Sequence, residues 1–464
     1  TWSRTLRGAL VVAGGAVTAI GLAQLVTPVP GLLPIDADRY GVVQTSTFGY
    51  KNPAAWAVVG QIFVAAGLAA TARRRRWRWG LWTLVAAQVL YVGGLQSRTA
   101  LVAFVAGLVV FVALDPGIGR RRRVAGLAVG VGALAVALAA SPTARERAST
   151  LVDLARPSAY LESDRGIYLR NTLGMVSERP WGVGLGDWQT EYPVYRSVGR
   201  EFAFDGLHQV RRAHADHVQV LGELGWPGLA AWLGLIAWVA WAGAAAARGG
   251  SRTAAAATAQ WCAMAVAMAG DYVVEMPYAR WQWCLLLALV LMEAAPPRSA
   301  SRAPSTAPSA PSAAMTGLAA ALVTVVAFEA LGATFTLRGA ALEARVEASY
   351  LAASGAEDAA SRSVLWGQTA ELGAALGGLP FHSKTRYRAD LLAAHAASQV
   401  GDRASACRHL QRSLALYPYN PPALQLAARV ASPQEAPDFL AASARVKGAS
   451  RRGYGGSYPL LICN

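Results

Sequence analysis

The feature that most constrains this chain is a recurrence of long apolar runs separated by short arginine clusters. A helix crosses a hydrocarbon core of roughly 30 Å with about 17 to 25 residues. Runs near that length recur at about 8–27, 54–72, 79–96, 99–115, 124–140, 227–247, 254–270, 281–295 and 315–336. In lipid the backbone must satisfy its own polar groups, so segments of this kind are helices. The sequence therefore predicts an all-α fold: a polytopic membrane helical bundle of about nine spans, followed by a smaller soluble helical domain. The 464 residues are 54% hydrophobic and only 15% charged, against roughly 25% charged in an average soluble domain. The deficit falls almost wholly before residue 337.

The net charge of +16 raises nucleic acid as a partner, and the placement of the arginines argues against it. Arg4 and Arg7 precede the first run, Arg73, Arg74, Arg75, Arg76 and Arg78 follow the second, and Arg120 to Arg123 follow the fourth. Arg248 and Arg252 follow the sixth, and Arg298 and Arg302 follow the eighth. With nine spans all of these loops lie on one side, as the positive-inside rule requires, and the N-terminus is cytoplasmic. The opposite loops are about 28–53, a tight turn at 96–98, a long segment at 141–226 and a short one at 271–280. The domains expected are a membrane domain over 1–295, a Pro/Ala/Ser linker over 296–314, a last span over 315–336, and an extracytoplasmic helical domain over 337–464. The first run has no small-residue cleavage site and reads as a retained span.

Helical patterns follow at about 338–356, 360–377, 385–399, 403–416 and 421–431. Ala394, Gly401, Ala406, Leu410 and Pro418 lie at the offsets of a helix-turn-helix repeat of about 34 residues. The stretch resembles a tetratricopeptide repeat, with a generic helical hairpin as the plainer reading; repeats of this type bind partners. Cys262 and Cys284 fall in apolar runs and read as small buried hydrophobes, while Cys407 and Cys463 lie in the soluble part and could pair.

The candidate chemistry lies in the long outer segment. His214 stands just before the sixth run, where an imidazole can take a proton from a hydroxyl near neutral pH. His217 lies one helical turn on, and His208 six residues before. These histidines with Asp216 raise a metal site, but the spacing matches no known zinc pattern; interfacial histidines without a role are the plain alternative. Arg98, in Gln-Ser-Arg between two apolar runs, is either a snorkelling side chain or an anion ligand, and guanidinium matches phosphate geometry. Arg165 could partner it, and Arg211 and Arg212 lie nearer the histidine. Asp271, in Gly-Asp-Tyr with Glu275 and Pro277 close by, either orients a base, pairs an arginine, or is an ordinary interfacial acid. Gly182, Gly184 and Gly186 suggest a phosphate loop, but no strand precedes them, so they read as a tight turn.

Five fragments, in order, resemble the O-antigen ligase and polymerase superfamily of bacterial membrane glycosyltransferases. They are Phe48-Gly49 with Asn52-Pro53 and Ala55; Gln96-Ser97-Arg98; Asp164-Arg165 with Pro180 and residues 182–186; Ala213-His214 through Gln219, Glu223-Leu224-Gly225 and Pro227-Gly228-Leu229; and Asp271 with Pro277. Ala215 departs from the family, which usually has Asn, Ser or Gln after the histidine; Asp216 could supply the missing hydrogen bond. The resemblance implies a GT-C-like fold in the bacterial inner membrane, acting on its outer face in cell-envelope polysaccharide or lipopolysaccharide synthesis. The donor would be a glycan on undecaprenyl diphosphate, and the acceptor a glycan, lipid or protein hydroxyl. It implies His214 as base, Asp271 in support, and Arg98 and Arg165 on the diphosphate, with Arg211, Arg212 and His217 nearby. It implies no metal and no cofactor. A transporter or flippase of lipid-linked sugars, and a scaffold anchoring the C-terminal domain to a protein partner, are the competing classes.

Overall fold

The computed structural model describes residues 2–24, 51–119, 163–195, 212–294, 341–377, 386–418 and 420–447, with a few isolated positions besides. All regular structure among them is helical: α1 (Trp2–Ala23), α2 (Lys51–Thr71), α3 (Arg75–Gly94), α4 (Arg98–Leu114), α5 (Asp164–Glu178), α6 (Trp188–Tyr195), α7 (Asp216–Arg248), α8 (Arg252–Met268), α9 (Pro277–Ala294), α10 (341–355), α11 (Ala359–Gly377), α12 (Arg386–Gln399), α13 (Arg403–Leu416), α14 (Pro421–Val430) and α15 (Ala436–Lys447). The expected spans at 124–140 and 315–336 lie outside the described residues, as do Arg211, His208 and Cys463.

The chain divides into two compact units, residues 1–188 with 212–299, and residues 189–211 with 300–464. In the first, α1, α2 and the α7 helix are long and apolar enough to cross a membrane, over Thr5–Ala23, Asn52–Thr71 and Asp216–Arg248, and the shorter α4 is apolar after its opening Arg98 and Thr99. Helices of this length and apolarity mark a membrane protein.

In lipid, helices gain little from burying apolar surface and instead pack where small residues let backbones approach. Helix α8 is built for this: Ala254 to Ala257, Ala259, Ala263 and Ala267 are all buried. A Cβ on Gly67 of α2 would stand 2.6 Å from that of Ala256, and one on Gly107 of α4 would stand 2.9 Å from that of Ala263. Gln260 of α8 reaches into α2, where its Oε1 accepts from Phe63 N at 3.1 Å and its amide donates to Val59 O. Helices α4 and α8 run antiparallel. At one end Arg252 pairs with Asp115 at 3.3 Å, and at the other Thr99 Oγ1 donates to Gly270 O at 3.4 Å.

The second unit has its own core of Tyr387, Leu391, Leu410, Tyr417, Leu424 and Phe439. Gly401, at φ +82°, turns α12 into α13, and Asp402 caps α13 by accepting from Ser405 N at 2.9 Å. Ala394, Ala406 and Leu410 are buried, so the helix-turn-helix pairing expected over 386–416 is present. Arg386 and His409 both reach the buried Asp390, at 3.1 and 2.8 Å. Helix α15 lies beyond the last helical pattern expected from the sequence, at 421–431. Its signal was Ser432-x-x-Glu435, whose side chains bond each other's backbone N–H reciprocally just before the helix.

Candidate functional site

Helix α7 explains how the glycine cluster is used. Pro227 has no N–H to offer the carbonyl of Glu223, and Gly225 takes φ 67°, ψ −165°, which breaks the helix. Trp226 N turns away to Pro180 O at 3.0 Å. Two carbonyls inside an apolar helix are thereby orphaned, at a cost that lipid cannot relieve. The glycine loop satisfies both: Val183 N donates to Gly222 O and Gly184 N to Glu223 O, each at 3.0 Å. Backbone meets backbone so closely that a Cβ on Gly182 would lie 2.3 Å from Glu223 O, and one on Gly225 2.0 Å from Pro180 O. Gly182, Gly184 and Gly186 all have positive φ. The cluster is thus the turn expected from sequence, and it anchors α5 and its following loop to α7. Trp188 adds to the join, donating from Nε1 to Thr172 Oγ1 at 2.9 Å.

The same end of α7 holds His214. Its φ is +50°, a left-handed conformation that costs a non-glycine residue roughly 1–2 kcal/mol and persists only when neighbours impose it. They do. Ala213 N donates to Gln219 Oε1 at 3.0 Å, Asp216 N donates to Asp271 O at 3.2 Å, and the buried Asp216 carboxylate accepts from Val274 N at 2.9 Å. The Asp216 carboxylate is therefore spent on the 271–276 loop. The imidazole lies between Tyr168, nearly parallel at 5.9 Å, and Tyr272, edge-on at 5.1 Å. Burial, and next the charge of Asp271, push the Tyr272 phenol above its ordinary value, so it stays neutral.

Asp271 is fully buried and is the meeting point. Asn52 Nδ2 donates to its Oδ2 at 2.8 Å. Arg165 stands 3.8 Å from the same oxygen. His214 Nδ1 stands 3.7 Å from Oδ1, too long for a hydrogen bond and within ion-pair reach once the ring is protonated. The His214 side chain keeps 45% exposure, in contrast to the buried Asp271 carboxylate beside it.

The structure thus brings His214, Asp271 and Arg165 together. Arg212 joins through another route: it pairs with Glu275 and lies over the Tyr272 ring at 4.4 Å. Arg98 opens α4, beside Thr99, which reaches the residue before Asp271. His217 faces elsewhere. Trp232 donates to its Nδ1 at 2.9 Å, so Nε2 carries the proton and donates to Ala265 O at 3.1 Å. Among the described residues no three His, Cys, Asp or Glu side chains converge. Asn52, Tyr168, Tyr272 and Gln219 were not among the candidate site residues. Asn52 had a signal, as a polar residue opening an apolar run; the two tyrosines had only proximity to Arg165 and Asp271.

Residues 83–233 match the family model described as O-antigen ligase. That stretch holds Arg98, Arg165, Arg212, His214, His217 and the glycine turn; Asn52 and Asp271 lie outside it. No curated protein matches the chain.

Proposed function

We propose that this chain, a member of the O-antigen ligase and polymerase superfamily through residues 83–233, transfers a glycan from undecaprenyl diphosphate to an acceptor hydroxyl as a ligase on the outer face of a bacterial inner membrane. The observation that carries the reading is the buried Asp271 carboxylate with Asn52, Arg165 and His214 gathered on it.

In this mechanism His214 Nε2 takes the proton of the acceptor hydroxyl. The acceptor oxygen bonds the anomeric carbon as the bond from that carbon to the diphosphate oxygen breaks, and the electron pair leaves with undecaprenyl diphosphate. The imidazolium that forms is stabilised by Asp271, whose oxygen already lies on the Nδ1 side. Arg98 and Arg165 bind the diphosphate and offset the charge it gains. Arg212 acts through the loop, since it is engaged by Glu275 and Tyr272. The acceptor distinguishes ligase from polymerase: a lipid core or protein for the first, a second lipid-linked glycan for the other. The helix-turn-helix over α12 and α13, read as a tetratricopeptide-like repeat, recruits the acceptor or a protein partner.

The test is reconstitution of the full chain with undecaprenyl-diphosphate-linked glycan and each acceptor class, with products identified by mass spectrometry. Loss of a general base lowers rates by about 10²–10⁴-fold, so His214→Ala should transfer at or below a hundredth of the normal rate. Normal transfer by His214→Ala would remove this mechanism, and movement of lipid-linked glycan across the bilayer without a covalent product would favour a flippase.

A further inference from the structure

The start of α3 concentrates charge and indole on one exposed surface. Arg73, Arg74, Arg75, Arg76 and Arg78 are all exposed, and none of their side chains has a protein partner among the described residues. Interleaved with them are Trp77 at 61% exposure, Trp79 at 60% and Trp82 at 40%. Arg75 and Trp79, and likewise Arg78 and Trp82, are four apart and share a face of the helix. That face continues outward as Trp79, Trp82, Ala86 and Leu90, all exposed, whereas Leu81, Leu84, Val85, Gln88 and Tyr91 turn inward. The outward stripe is therefore apolar from Trp82 to Leu90 and basic before Trp79. The membrane-crossing segment of α2 ends at Thr71, two residues before the first arginine. The basic cluster thus sits where a crossing segment leaves the hydrocarbon.

We infer that residues 73–82 bind anionic phospholipid headgroups, the guanidinium groups pairing with phosphate and the three indoles lying at the hydrocarbon boundary. Five adjacent cations without a carboxylate partner repel one another in water, and a net negative headgroup removes that repulsion. A zwitterionic headgroup carries its own cation beside the phosphate and offers no such gain. Setting topology requires positive charge alone. Three exposed tryptophans woven through the cluster exceed that requirement and fit the level of the headgroups, where the indole is apolar on one side and wet on the other. Guanidinium meets phosphate with two parallel hydrogen bonds, which a lysine cluster could not do. The surface lies at the opposite end of α2 from Asn52, so this lipid is not the glycan donor of the proposed reaction.

The test uses the full chain in bilayers containing a minor fraction of lipid with brominated tails, which quenches nearby tryptophan. Brominated phosphatidylglycerol and brominated phosphatidylcholine are compared at equal mole fraction. The W77F/W79F/W82F variant gives the contribution of the other tryptophans, which is subtracted. Quenching of the three indoles should be at least twofold greater with phosphatidylglycerol, and the excess should fall by half or more in 1 M salt, where the screening length shrinks to about 3 Å. Replacing the five arginines by glutamine should abolish it. Equal quenching by the two lipids in the unaltered protein overturns the inference, as does an excess that survives in a folded glutamine variant. The lipid comparison and the salt titration need no arginine variant, so the inference stays falsifiable if that protein does not fold.

Discussion

Asn52 donates a hydrogen bond to Asp271 at 2.8 Å, across 219 residues of sequence. The acceptor is a fully buried carboxylate, so this bond ties the opening of α2 to the turn after α8 and fixes a carboxylate whose Oδ2 faces Arg165 and whose Oδ1 faces His214.

Removing that donor leaves the carboxylate short of a partner. Hydrogen bonds to charged groups contribute about 1.5–3 kcal/mol, so Asn52→Ala should slow glycan transfer about 10- to 150-fold in reconstituted bilayers. Asn52→Asp should be worse, because it sets a second carboxylate against Asp271. Transfer by Asn52→Ala at the normal rate would show that the bond is incidental to the reaction.

The two arginines near Asp271 should separate by phenotype. Arg165 bears on the buried carboxylate, and Arg165→Ala should cost at least a hundredfold in transfer. Arg212 pairs with Glu275, and each side chain is about one-third exposed; a pair of that kind contributes about 1 kcal/mol or less. Arg212→Ala and Glu275→Ala should therefore have small and similar effects, and the double variant should resemble either single one. An Arg212→Ala loss as large as that of Arg165→Ala, with Glu275→Ala normal, would place Arg212 on the substrate.

The kink in α7 should not tolerate a methyl group. Gly225 has φ +67°, and its Cβ would lie 2.0 Å from Pro180 O. Gly225→Ala should lower stability by about 2 kcal/mol or more through strain and displacement of the 180–184 loop, read as a lower midpoint of thermal unfolding in detergent. Gly234→Ala is the control: it lies in the same helix with open space around its Cβ position. Equal midpoints for the two variants would refute the loop-on-kink account.

The C-terminal unit should weaken in mild acid. Burial against Tyr350 and Trp366, and secondarily the charge of Arg429, hold His395 below its ordinary pKa of about 6.5. A histidine depressed in this way is kept neutral by the fold. Its contribution is present above the unfolded-state value and is lost as pH falls through the folded-state value. Protease resistance of residues 341–447 should therefore drop as pH falls below about 6.5, and His395→Gln should flatten the drop. A variant with an unchanged pH profile would assign the loss to other groups.

Much of this architecture follows from local pattern. The helices at Lys51–Thr71, Arg98–Leu114 and Arg403–Leu416 lie within a few residues of where apolar runs and caps place them, because helix formation depends on neighbours three and four residues away. The turn at 182–186 was equally legible, since glycine acts on its own backbone. Helix α5 was not: it lies in a segment expected only as a long loop, and its buried face of Ile167, Tyr168, Met175 and Val176 is made by tertiary packing against α7, with Tyr168 against Trp188 and His214.

The sequence by itself determined the class of the protein: apolar helices, arginines in alternate loops, and a histidine, arginines and an acid outside the apolar runs. Only the tertiary structure decided how those groups are joined. Asp216 and Asp271 were both available to His214. The fold commits Asp216 to Val274 N and turns His217 onto Ala265 and Trp232, leaving Asp271 to His214, Arg165 and Asn52. The physical reason is range. Periodicity and capping act within a few residues, whereas the partner of a buried carboxylate is set by which helix ends the packing of α2, α4, α7 and α8 brings to the same place.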